Sequence, residues 1–486
     1  MSDAFRLHPS DNVAVALHPL SSGTVVMGVK LRDDIPAGHK FALTDIPPRG
    51  KAVKYGYPIG GVKKRIHQGE WVHTHNLRTR LGKVLSYAYN PGFAEPAEPL
   101  RAVFSGYKRA AGRPGIRNEI WIIPTVGCVN GAAQRLERAS AGLAEDGVYA
   151  FPHPYGCSQM GADLHTTQRL LSAMVRHPNA GGVLVLGLGC ENNHIAAFKD
   201  ILGPYVTNRV KFLSAQSVDD ELEAGLSAIR ELASVLSSDT REPFPLSELA
   251  VGLKCGGSDG FSGLTANPLM GLFADRLIAS GGTAVMTEVP EMFGAETILM
   301  NRCADASVFH QTVALINNYK RYFKRHGQVI YENPSPGNKE GGITTLEEKS
   351  LGCVQKGGTG TIRGVLAYAA PAAGNGLYLL DGPGNDIVAV TALMASGCQL
   401  ILFSTGRGTP LGSPVPVIKL SARTGLAEMK SGWIDFDAGV ILHGEPPEEA
   451  ASRLMERVLL TASGAKTLSE RNGYRDMAIF KNGVTV

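Results

Sequence analysis

This sequence has little excess of positive over negative charge, no long apolar runs and no closely spaced cysteines. The 48 Lys and Arg residues nearly balance the 44 Asp and Glu residues, and the net charge is only +4. Basic blocks such as Lys63-Lys64-Arg65 are short and indicate a solvated surface rather than a nucleic-acid site. No apolar run approaches the roughly 20 residues that a membrane-spanning helix needs, and no secretory signal follows the amino terminus. We therefore expect a cytoplasmic protein with neither nucleic acid nor membrane as a partner.

The seven cysteines are too widely spaced to form a disulfide framework. An odd number of scattered cysteines in a large chain is typical of reduced thiols, some of which serve as ligands. Hydrophobic residues make up 44% of the chain, which excludes a largely disordered protein. Glycine is abundant, with 58 among 486 residues. Since it follows no collagen-like period, this glycine indicates turns, strand ends and close contacts between backbone and ligand.

Turn signals and apolar runs divide the chain into four segments. Residues 1–78 predict a small β module, and residues 79–105, rich in Pro, Ala and Glu, predict a linker. Residues 106–240 and 241–486 both predict α/β regions. Five β-prone runs lie at 119–126, 181–187, 249–253, 282–286 and 399–403, and helical periodicity lies at 129–145 and 219–237. Strands apolar on both faces and separated by helix-length segments predict a mainly parallel sheet.

Four cysteines follow predicted strands or lie in polar, glycine-rich loops, namely Cys128, Cys157, Cys190 and Cys255. Ligands bind at the carboxyl ends of strands in open α/β sheets, so these thiols are candidates for one cleft. Thiolates beside carboxylates such as Glu191 and Asp259 suit iron or another transition metal. The competing interpretation is that each cysteine is a small buried apolar residue. That second interpretation is assigned to Cys303, Cys353 and Cys398.

Histidines in the β module are candidates for acid/base chemistry. His73 and His75 are two residues apart, and on a strand both side chains would face the same side. His39 is a candidate to join them, and His153 lies close to Cys157 in sequence. A solvated or structural histidine is the competing interpretation.

Polar, glycine-rich segments supply candidates for substrate binding. Arg407, in a loop between two glycines, suits a bidentate clamp on a carboxylate, and a solvated turn is its alternative. Glu288 and Glu291 follow a predicted strand and suit metal binding, acid/base chemistry or helix capping. Gly187-Leu188-Gly189 lacks the third glycine of a dinucleotide-binding fingerprint, since position 192 is Asn.

Many long motifs match one family in order, from about residue 8 to 486. They are 39–46, 54–60, 73–76, 113–119, 156–159, 188–193, 255–259, 265–268, 333–339 and 405–410. Through these motifs the chain resembles the altronate/galactarate dehydratase family, and the His73/His75 pair resembles its altronate branch. The resemblance implies an N-terminal SAF or β-clip domain, a dimerising middle region and a Rossmann-like catalytic region, hence a homodimer.

The resemblance further implies a sugar-acid hydro-lyase of hexuronate catabolism that is stimulated by ferrous iron, or by manganese in some members. It would convert D-altronate to 2-dehydro-3-deoxy-D-gluconate. The expected metal ligands are Cys157, Cys190 and Cys255 with Glu191 or Asp259, around either a single Fe²⁺ or an iron–sulfur cluster. The expected acid/base residues are His39, His73, His75 and His153. The expected substrate-binding residues are Asn333, Asn338, Lys339 and Arg407.

Three alternatives stay open at this point. Galactarate dehydration or a related acidic-sugar lyase reaction is the nearest, because it belongs to the same family. A nicotinamide-dependent oxidoreductase is suggested only by Gly187-Leu188-Gly189. A sugar-acid sensor without catalysis would use the same modules, although no DNA-binding motif supports it.

Overall fold

A computed structural model describes residues 2–483. Within that range the chain forms a set of small antiparallel sheets, a four-stranded parallel sheet and a seven-stranded parallel sheet, with 13 α-helices. The predicted fold class, α/β with a β-rich N-terminal module and a large region of parallel sheet, is confirmed. No helix in residues 2–483 is both long enough and apolar enough to cross a membrane.

The N-terminal β module, residues 2–80, contains nine short strands in antiparallel sheets. They are β1 (Ala4–Phe5), β2 (Val13–Ala16), β3 (Val25–Val26), β4 (Val29–Lys30), β5 (Lys40–Ala42), β6 (Lys51–Lys54), β7 (Tyr57–Val62), β8 (Trp71–Val72) and β9 (Leu77–Arg78). Residues 24–29 alternate like a single strand in sequence but form a hairpin whose turn is Met27-Gly28. Both turn residues have positive φ, 53° and 78°, which is the conformation that joins two strands over two residues.

The predicted linker is extended and attached to the C-terminal region. Residues 79–102 have no regular secondary structure. The Tyr87 hydroxyl donates to Glu296 Oε1 at 2.5 Å, and the Tyr89 hydroxyl donates to the Cys303 carbonyl at 2.6 Å. This segment is therefore held along the surface that it crosses.

The middle region is built on a parallel sheet of order β12-β11-β13-β14. The strands of the region are β10 (Val103–Tyr107), β11 (Glu119–Pro124), β12 (Val148–Ala150), β13 (Ala180–Gly187), β14 (Val210–Ser214) and β15 (Arg241–Pro245). The first and the last, β10 and β15, pair with each other in a separate antiparallel ribbon. Its helices are α1 (Asn130–Ala139), α2 (Gly161–Val175), α3 (Ile195–Leu202) and α4 (Glu221–Leu236). The strand β11 has all six residues buried, as its unbroken apolar sequence predicts.

The C-terminal region contains the larger sheet, of order β18-β19-β17-β16-β20-β21-β22, with every neighbouring pair parallel. Its strands are β16 (Ala250–Cys255), β17 (Thr283–Met286), β18 (Ile362–Leu366), β19 (Gly376–Leu380), β20 (Leu400–Thr405), β21 (Val417–Ser421) and β22 (Phe436–Asp437). Its helices are α5 (Ala266–Ala279), α6 (Glu296–Met300), α7 (Ala306–Arg325), α8 (Pro336–Glu340), α9 (Leu346–Cys353), α10 (Asp386–Ala395), α11 (Thr424–Met429), α12 (Pro447–Ala462) and α13 (Leu468–Arg471).

The topology of this sheet places a crevice at the end of β16. The chain passes from β16 to β17 on one side, and later returns to β20 on the other side. At such a switch point the loops diverge in opposite directions and leave room for a ligand beyond the carboxyl ends of the strands.

The N-terminal module shares its core with the C-terminal region. Ile59 and Val72 belong to the same cluster of buried apolar side chains as Leu253 and Phe261. Gly38 lies so close to Gly260 that a Cβ on Gly260 would stand 2.1 Å from the Gly38 carbonyl oxygen. Only glycine permits this approach, so the module is seated directly against the loop that follows β16.

Candidate active site

A cluster of thiols, carboxylates and ammonium groups lies at the carboxyl end of β16. The strand itself ends with Lys254 and Cys255. Glu288 and Glu291 come from the segment after β17. The helix α9 contributes Lys349 and Cys353, and the turn after it contributes Lys356.

At the centre of the cluster, two thiols and one carboxylate converge. Cys255 Sγ lies 3.3 Å from Cys353 Sγ and 3.5 Å from Glu291 Oε2. Cys353 Sγ lies 3.2 Å from the same carboxylate oxygen. All three residues are buried, and in residues 2–483 they are the one group of three or more His, Cys, Asp or Glu residues whose ligand atoms all lie within 4.8 Å of one another.

Lysines surround this triad and are matched by carboxylates. Glu288, fully buried, binds Lys254 through one oxygen and Lys356 through the other. Lys254 Nζ also contacts Asp386 Oδ1 at 2.7 Å, and Lys356 Nζ lies 3.1 Å from Cys255 Sγ. Lys349 Nζ lies 2.8 Å from Glu291 Oε1. Three ammonium groups thus face three carboxylates.

The electrostatics follow from this pairing. Burial disfavours every charge here, but the carboxylates outweigh it and raise the pKa of Lys254 and of Lys349. Burial also opposes ionisation of Glu291, yet Lys349, Lys254 and Lys356 lower the pKa of that carboxyl to about 2. The hydrogen bond with Cys255, together with burial, raises the pKa of the Cys353 thiol. At neutral pH Lys254, Lys349 and Glu291 are therefore charged while the Cys353 thiol is protonated.

The triad fits a thiophilic transition metal. Two sulfurs and one carboxylate oxygen are a donor set that suits iron or zinc and leaves a coordination position open. Because the ammonium groups already balance the carboxylates, a dication that displaced two thiol protons would leave the net charge of the cluster unchanged. The donor set of Cys255, Cys353 and Glu291 therefore fits a transition-metal ion.

The N-terminal module reaches the cluster through Glu348 on α9. Lys40 Nζ lies 2.9 Å from Glu348 Oε2, and Lys54 Nζ lies 3.0 Å from Oε1, with all three side chains no more than 1% exposed. Burial works against the Glu348 carboxylate, but the two lysines lower its pKa to about 2. Burial and the neighbouring charge of Lys54 lower the pKa of Lys40 to about 8, although Glu348 opposes this.

A small cavity adjoins Glu348, Lys349 and Cys353. Its walls include Lys54 and Tyr55 of the β module, together with the loop after β16. The β module therefore supplies part of the wall next to the thiol of Cys353.

Three of the four predicted histidines gather around Trp71, and His153 lies apart in the middle region. The His39 and His73 ring centroids lie 5.1 Å apart, and those of His73 and His75 each lie 5.3 Å from the Trp71 ring.

The prediction that His73 and His75 lie on a strand is wrong: they lie in a turn, with His73 buried and His75 exposed. The turn is closed by Asn76, whose Oδ1 accepts from the His73 N–H and whose Nδ2 donates to the Trp71 carbonyl. Burial lowers the pKa of His73 to about 3.

The rings of His39 and His153 are both engaged in hydrogen bonds. His39 Nε2 donates to the Glu340 carbonyl, while Nδ1 accepts from Trp71 Nε1. His153 Nε2 donates to the Pro124 carbonyl, and Nδ1 accepts from the Tyr155 N–H. Burial lowers the pKa of both, that of His153 to about 4, so these rings are neutral.

The five predicted metal ligands are distributed over two sheets. Cys255 belongs to the triad, whereas Cys157 and Cys190 are exposed on loops of the middle region. The Glu191 carboxylate accepts from Thr125 Oγ1 and from two backbone N–H groups, which lower its pKa against the effect of burial. Asp259 follows Cys255, but its Oδ1 accepts three hydrogen bonds from Phe261 and Ser262. Burial raises the pKa of Asp259, whose other oxygen lies 3.2 Å from Arg423.

The predicted substrate-binding residues lie on and beside α8, next to the cluster. Asn333 Oδ1 and Asn338 Oδ1 both accept from Lys349 Nζ, at 3.0 and 3.2 Å. Arg407 is exposed, and its Nη1 donates to the Gly337 carbonyl at 2.9 Å. Lys339 is a half-buried residue of the same helix.

Sequence reasoning assigned Cys353 to the core and overlooked the lysines. Cys353 is buried, but its neighbours are Cys255, Glu291 and Lys356 rather than apolar side chains alone. All four charged residues in Leu346–Lys356 are buried on one short helix and its turn, whereas a run such as Glu347-Glu348-Lys349 is typical of solvated surface in sequence. The sequence did contain one indication of these lysines: at the end of the predicted strand, Lys254 directly precedes Cys255.

Comparisons with known proteins identify the family. Residues 2–80 match the altronate/galactarate dehydratase SAF domain, residues 106–237 match the D-galactarate dehydratase/altronate hydrolase second domain, and residues 246–485 match the D-galactarate/altronate dehydratase C-terminal domain. The chain belongs to the altronate/galactarate dehydratase family.

Three curated relatives align over nearly the whole chain. Altronate dehydratase of Escherichia coli (strain K12) is 51% identical, covering 99% of each chain, and altronate dehydratase of Bacillus subtilis (strain 168) is 50% identical, covering 100% of each. Galactarate dehydratase (L-threo-forming) of Escherichia coli (strain K12) is 34% identical, covering 98% of this chain and 96% of its own.

Proposed function

We propose that this chain is a hydro-lyase that dehydrates D-altronate to 2-dehydro-3-deoxy-D-gluconate at the cluster around Cys255. The observation that carries the proposal is the set of two thiols, three carboxylates and three ammonium groups at the switch point of the larger sheet, all buried except the half-buried Asp386. Identity of about half the residues with two altronate dehydratases over the full length supports altronate as the substrate.

The reaction is an elimination of water across C2 and C3. A base takes the proton from C2, the C3 hydroxyl leaves with a proton from an acid, and a C2–C3 double bond forms. The resulting enol then tautomerises to the 2-oxo acid. Because the C2 proton is only weakly acidic, the negative charge that develops on the substrate carboxylate needs stabilisation before the hydroxyl leaves.

The ammonium groups of Lys349 and Lys356 supply fixed positive charge for that purpose. They are held in place by Glu291 and Glu288, so no reorganisation is required as charge develops. Asn333 and Asn338 orient Lys349 from its other side. We place the substrate beside α8, where Lys339 and Arg407 bind its carboxylate and hydroxyls.

Cys255, Cys353 and Glu291 are the residues that would hold Fe²⁺ or Mn²⁺. Such an ion supplies Lewis-acid polarisation of the substrate carboxylate and of a neighbouring hydroxyl. Among the predicted acid/base residues we retain His73, because it is linked to the cluster through Thr344. The hydroxyl of Thr344 is hydrogen-bonded to His73 Nδ1, and the backbone N–H of Thr344 donates to Glu348 beside the cluster.

Two further expectations stay proposals. A homodimer follows from the family resemblance of the middle region, and light scattering coupled to gel filtration measures it directly. A cytoplasmic location follows from the sequence expectations above.

The test is turnover of D-altronate, followed by release of the 2-oxo acid, with metal-free protein and after addition of Fe²⁺ or Mn²⁺. We expect Cys353→Ser to lower kcat/KM at least about 100-fold, by loss of a ligand and of charge balance. The matched control is Cys303→Ser, a second buried cysteine that contacts Thr312 outside the cluster. Equal activity of the two variants would show that the reaction takes place at another site. Turnover of galactarate in preference to altronate would show that the substrate is that of the galactarate branch of the family.

A further inference from the structure

A pair of glycines follows β16 and lies directly beside the cluster. Gly256 and Gly257 come immediately after Cys255, so the pair begins where the triad ends. The Gly256 N–H donates to the Ser404 carbonyl at 3.0 Å, and the Gly257 carbonyl accepts from the Gly406 N–H at 3.2 Å. Gly256 is buried and Gly257 is exposed. Because neither residue has a side chain, a ligand that enters the crevice can approach this backbone closely.

Asp386, the first residue of α10, stands over the first of these glycines. A Cβ on Gly256 would lie 2.7 Å from Asp386 Oδ2, so only glycine lets the carboxylate come this close to the backbone. Asp386 Oδ1 lies 2.7 Å from Lys254 Nζ. The side chain of Asp386 is 39% exposed, whereas those of Glu288 and Glu291 are at most 5% exposed. Of these three carboxylates, that of Asp386 is therefore the one that a ligand can reach.

Arg407 lies beside the second glycine. A Cβ on Gly257 would lie 3.7 Å from Arg407 Cβ. The guanidinium contacts the Gly337 carbonyl at 2.9 Å and Glu340 Oε2 at 3.3 Å, both through Nη1. Within residues 2–483, its Nε and Nη2 make no hydrogen bond. This edge of the guanidinium is the one that binds a carboxylate with two parallel hydrogen bonds.

The formal charges around the glycine pair complement a single negative charge. The three ammonium groups of the cluster balance its three carboxylates. Beside them, Lys339 and Arg407 carry two positive charges, and Glu340 carries one negative charge. One positive charge is therefore in excess. A monoanion neutralises it, whereas a dianion adds a negative charge that no group of this set balances.

We propose that Asp386 determines the class of substrate, by accepting hydrogen bonds from hydroxyls of a sugar acid with one carboxylate and by repelling sugar acids with two. Consecutive Cα atoms are about 3.8 Å apart, so a six-carbon acid can reach both charged groups above Gly256 and Gly257. Its C1 carboxylate binds Arg407, and its distal hydroxyls donate to Asp386 Oδ2. A second carboxylate at C6 would meet Asp386 with like charge and without a proton to donate. We take the substrate to be a sugar acid bound at the cluster, so the proposal rests on the proposed function.

The test compares two ligands that differ in one group. D-Altrarate has the stereocentres of D-altronate but a carboxylate in place of the C6 hydroxymethyl group. Isothermal titration calorimetry measures both dissociation constants on the full chain, freed of metal so that D-altronate is not consumed. We expect the unmodified protein to bind D-altrarate at least about tenfold more weakly than D-altronate. In Asp386→Asn, and in Asp386→Ser as a second uncharged variant, the ratio should fall to about threefold or less, while Asp386→Glu should preserve most of it.

Two variants serve as controls. Glu340→Gln removes an exposed carboxylate that contacts Arg407, and it should change the ratio by no more than about twofold. Arg407→Gln should weaken both ligands alike, because both have the C1 carboxylate. Failure to bind D-altronate, equal binding of the two ligands by the unmodified protein, an unchanged ratio in Asp386→Asn or Asp386→Ser, or an equal change in Glu340→Gln would each overturn the proposal. Turnover does not enter this test. A protein that binds D-altronate selectively without dehydrating it would overturn the proposed function and leave the role of Asp386 intact.

Discussion

Removing the charge of Glu348 is expected to destabilise the folded protein by about 3 kcal/mol at pH 7. The pKa of this carboxyl is about 2, against an ordinary value of 4.5. At about 1.4 kcal/mol per pKa unit, the charged form contributes ~3 kcal/mol of stability. The same size follows from a different argument, since breaking a buried ion pair by removing one partner costs about 3–5 kcal/mol. In Glu348→Gln, Lys40 and Lys54 would both lose their counter-ion.

The measurement is the free energy of unfolding from urea denaturation of Glu348→Gln and of the unmodified protein. The matched control is Glu340→Gln, whose carboxylate pairs with Arg407 while 69% exposed, and an exposed pair contributes at most about 1 kcal/mol. Because the pKa of Glu348 is lowered on folding, its contribution is complete above about pH 4.5 and is lost as the pH falls toward 2. A variant that loses no more stability than Glu340→Gln at pH 7 would refute the reasoning.

Two other outcomes are expected. His73→Gln should lower kcat for altronate at least about tenfold while His75→Gln, on the exposed side of the same turn, should leave it within about twofold; equal effects would remove His73 from the proposed chemistry. Glu470 pairs with the buried guanidinium of Arg117, and despite burial this pairing lowers its pKa to about 2. Stability therefore falls between about pH 4.5 and 2, by up to about 1.4 kcal/mol per pH unit, and Glu470→Gln should flatten that slope in acid denaturation monitored by circular dichroism.

Apolar runs predicted the elements of the parallel sheets well. The runs 119–126, 181–187 and 249–253 correspond to β11, β13 and β16, because a strand buried on both faces needs an unbroken apolar sequence. An apolar run does not determine which sheet its strand joins. Cys190 and Cys255 both follow such strands, yet one belongs to the four-stranded sheet and the other to the seven-stranded sheet. For this reason the predicted metal ligands include residues from two different sheets.

Sequence also misled where a helix returns to the end of a strand. Cys353 is brought to Cys255 by α9, and α9 is held by long-range ion pairs between its Glu348 and Lys40 and Lys54 of the β module. Likewise the His73/His75 pair has the spacing of a strand, but Asn76 closes a turn around it. Spacing within a motif identifies an element only when the neighbouring residues do not form a tighter hydrogen-bonded alternative.

The strongest link between the β module and the cluster runs through α9. Lys40 and Lys54 bind both oxygens of Glu348, and the next residue along α9, Lys349, binds Glu291. One turn further, the same helix ends with Cys353 against Cys255. Because α9 is only eight residues long, the two lysines of the module fix both the ammonium group and the thiol that it carries. The module therefore positions residues of the proposed active site, and the close contact of Gly38 with Gly260 is the steric condition that allows the module to sit there.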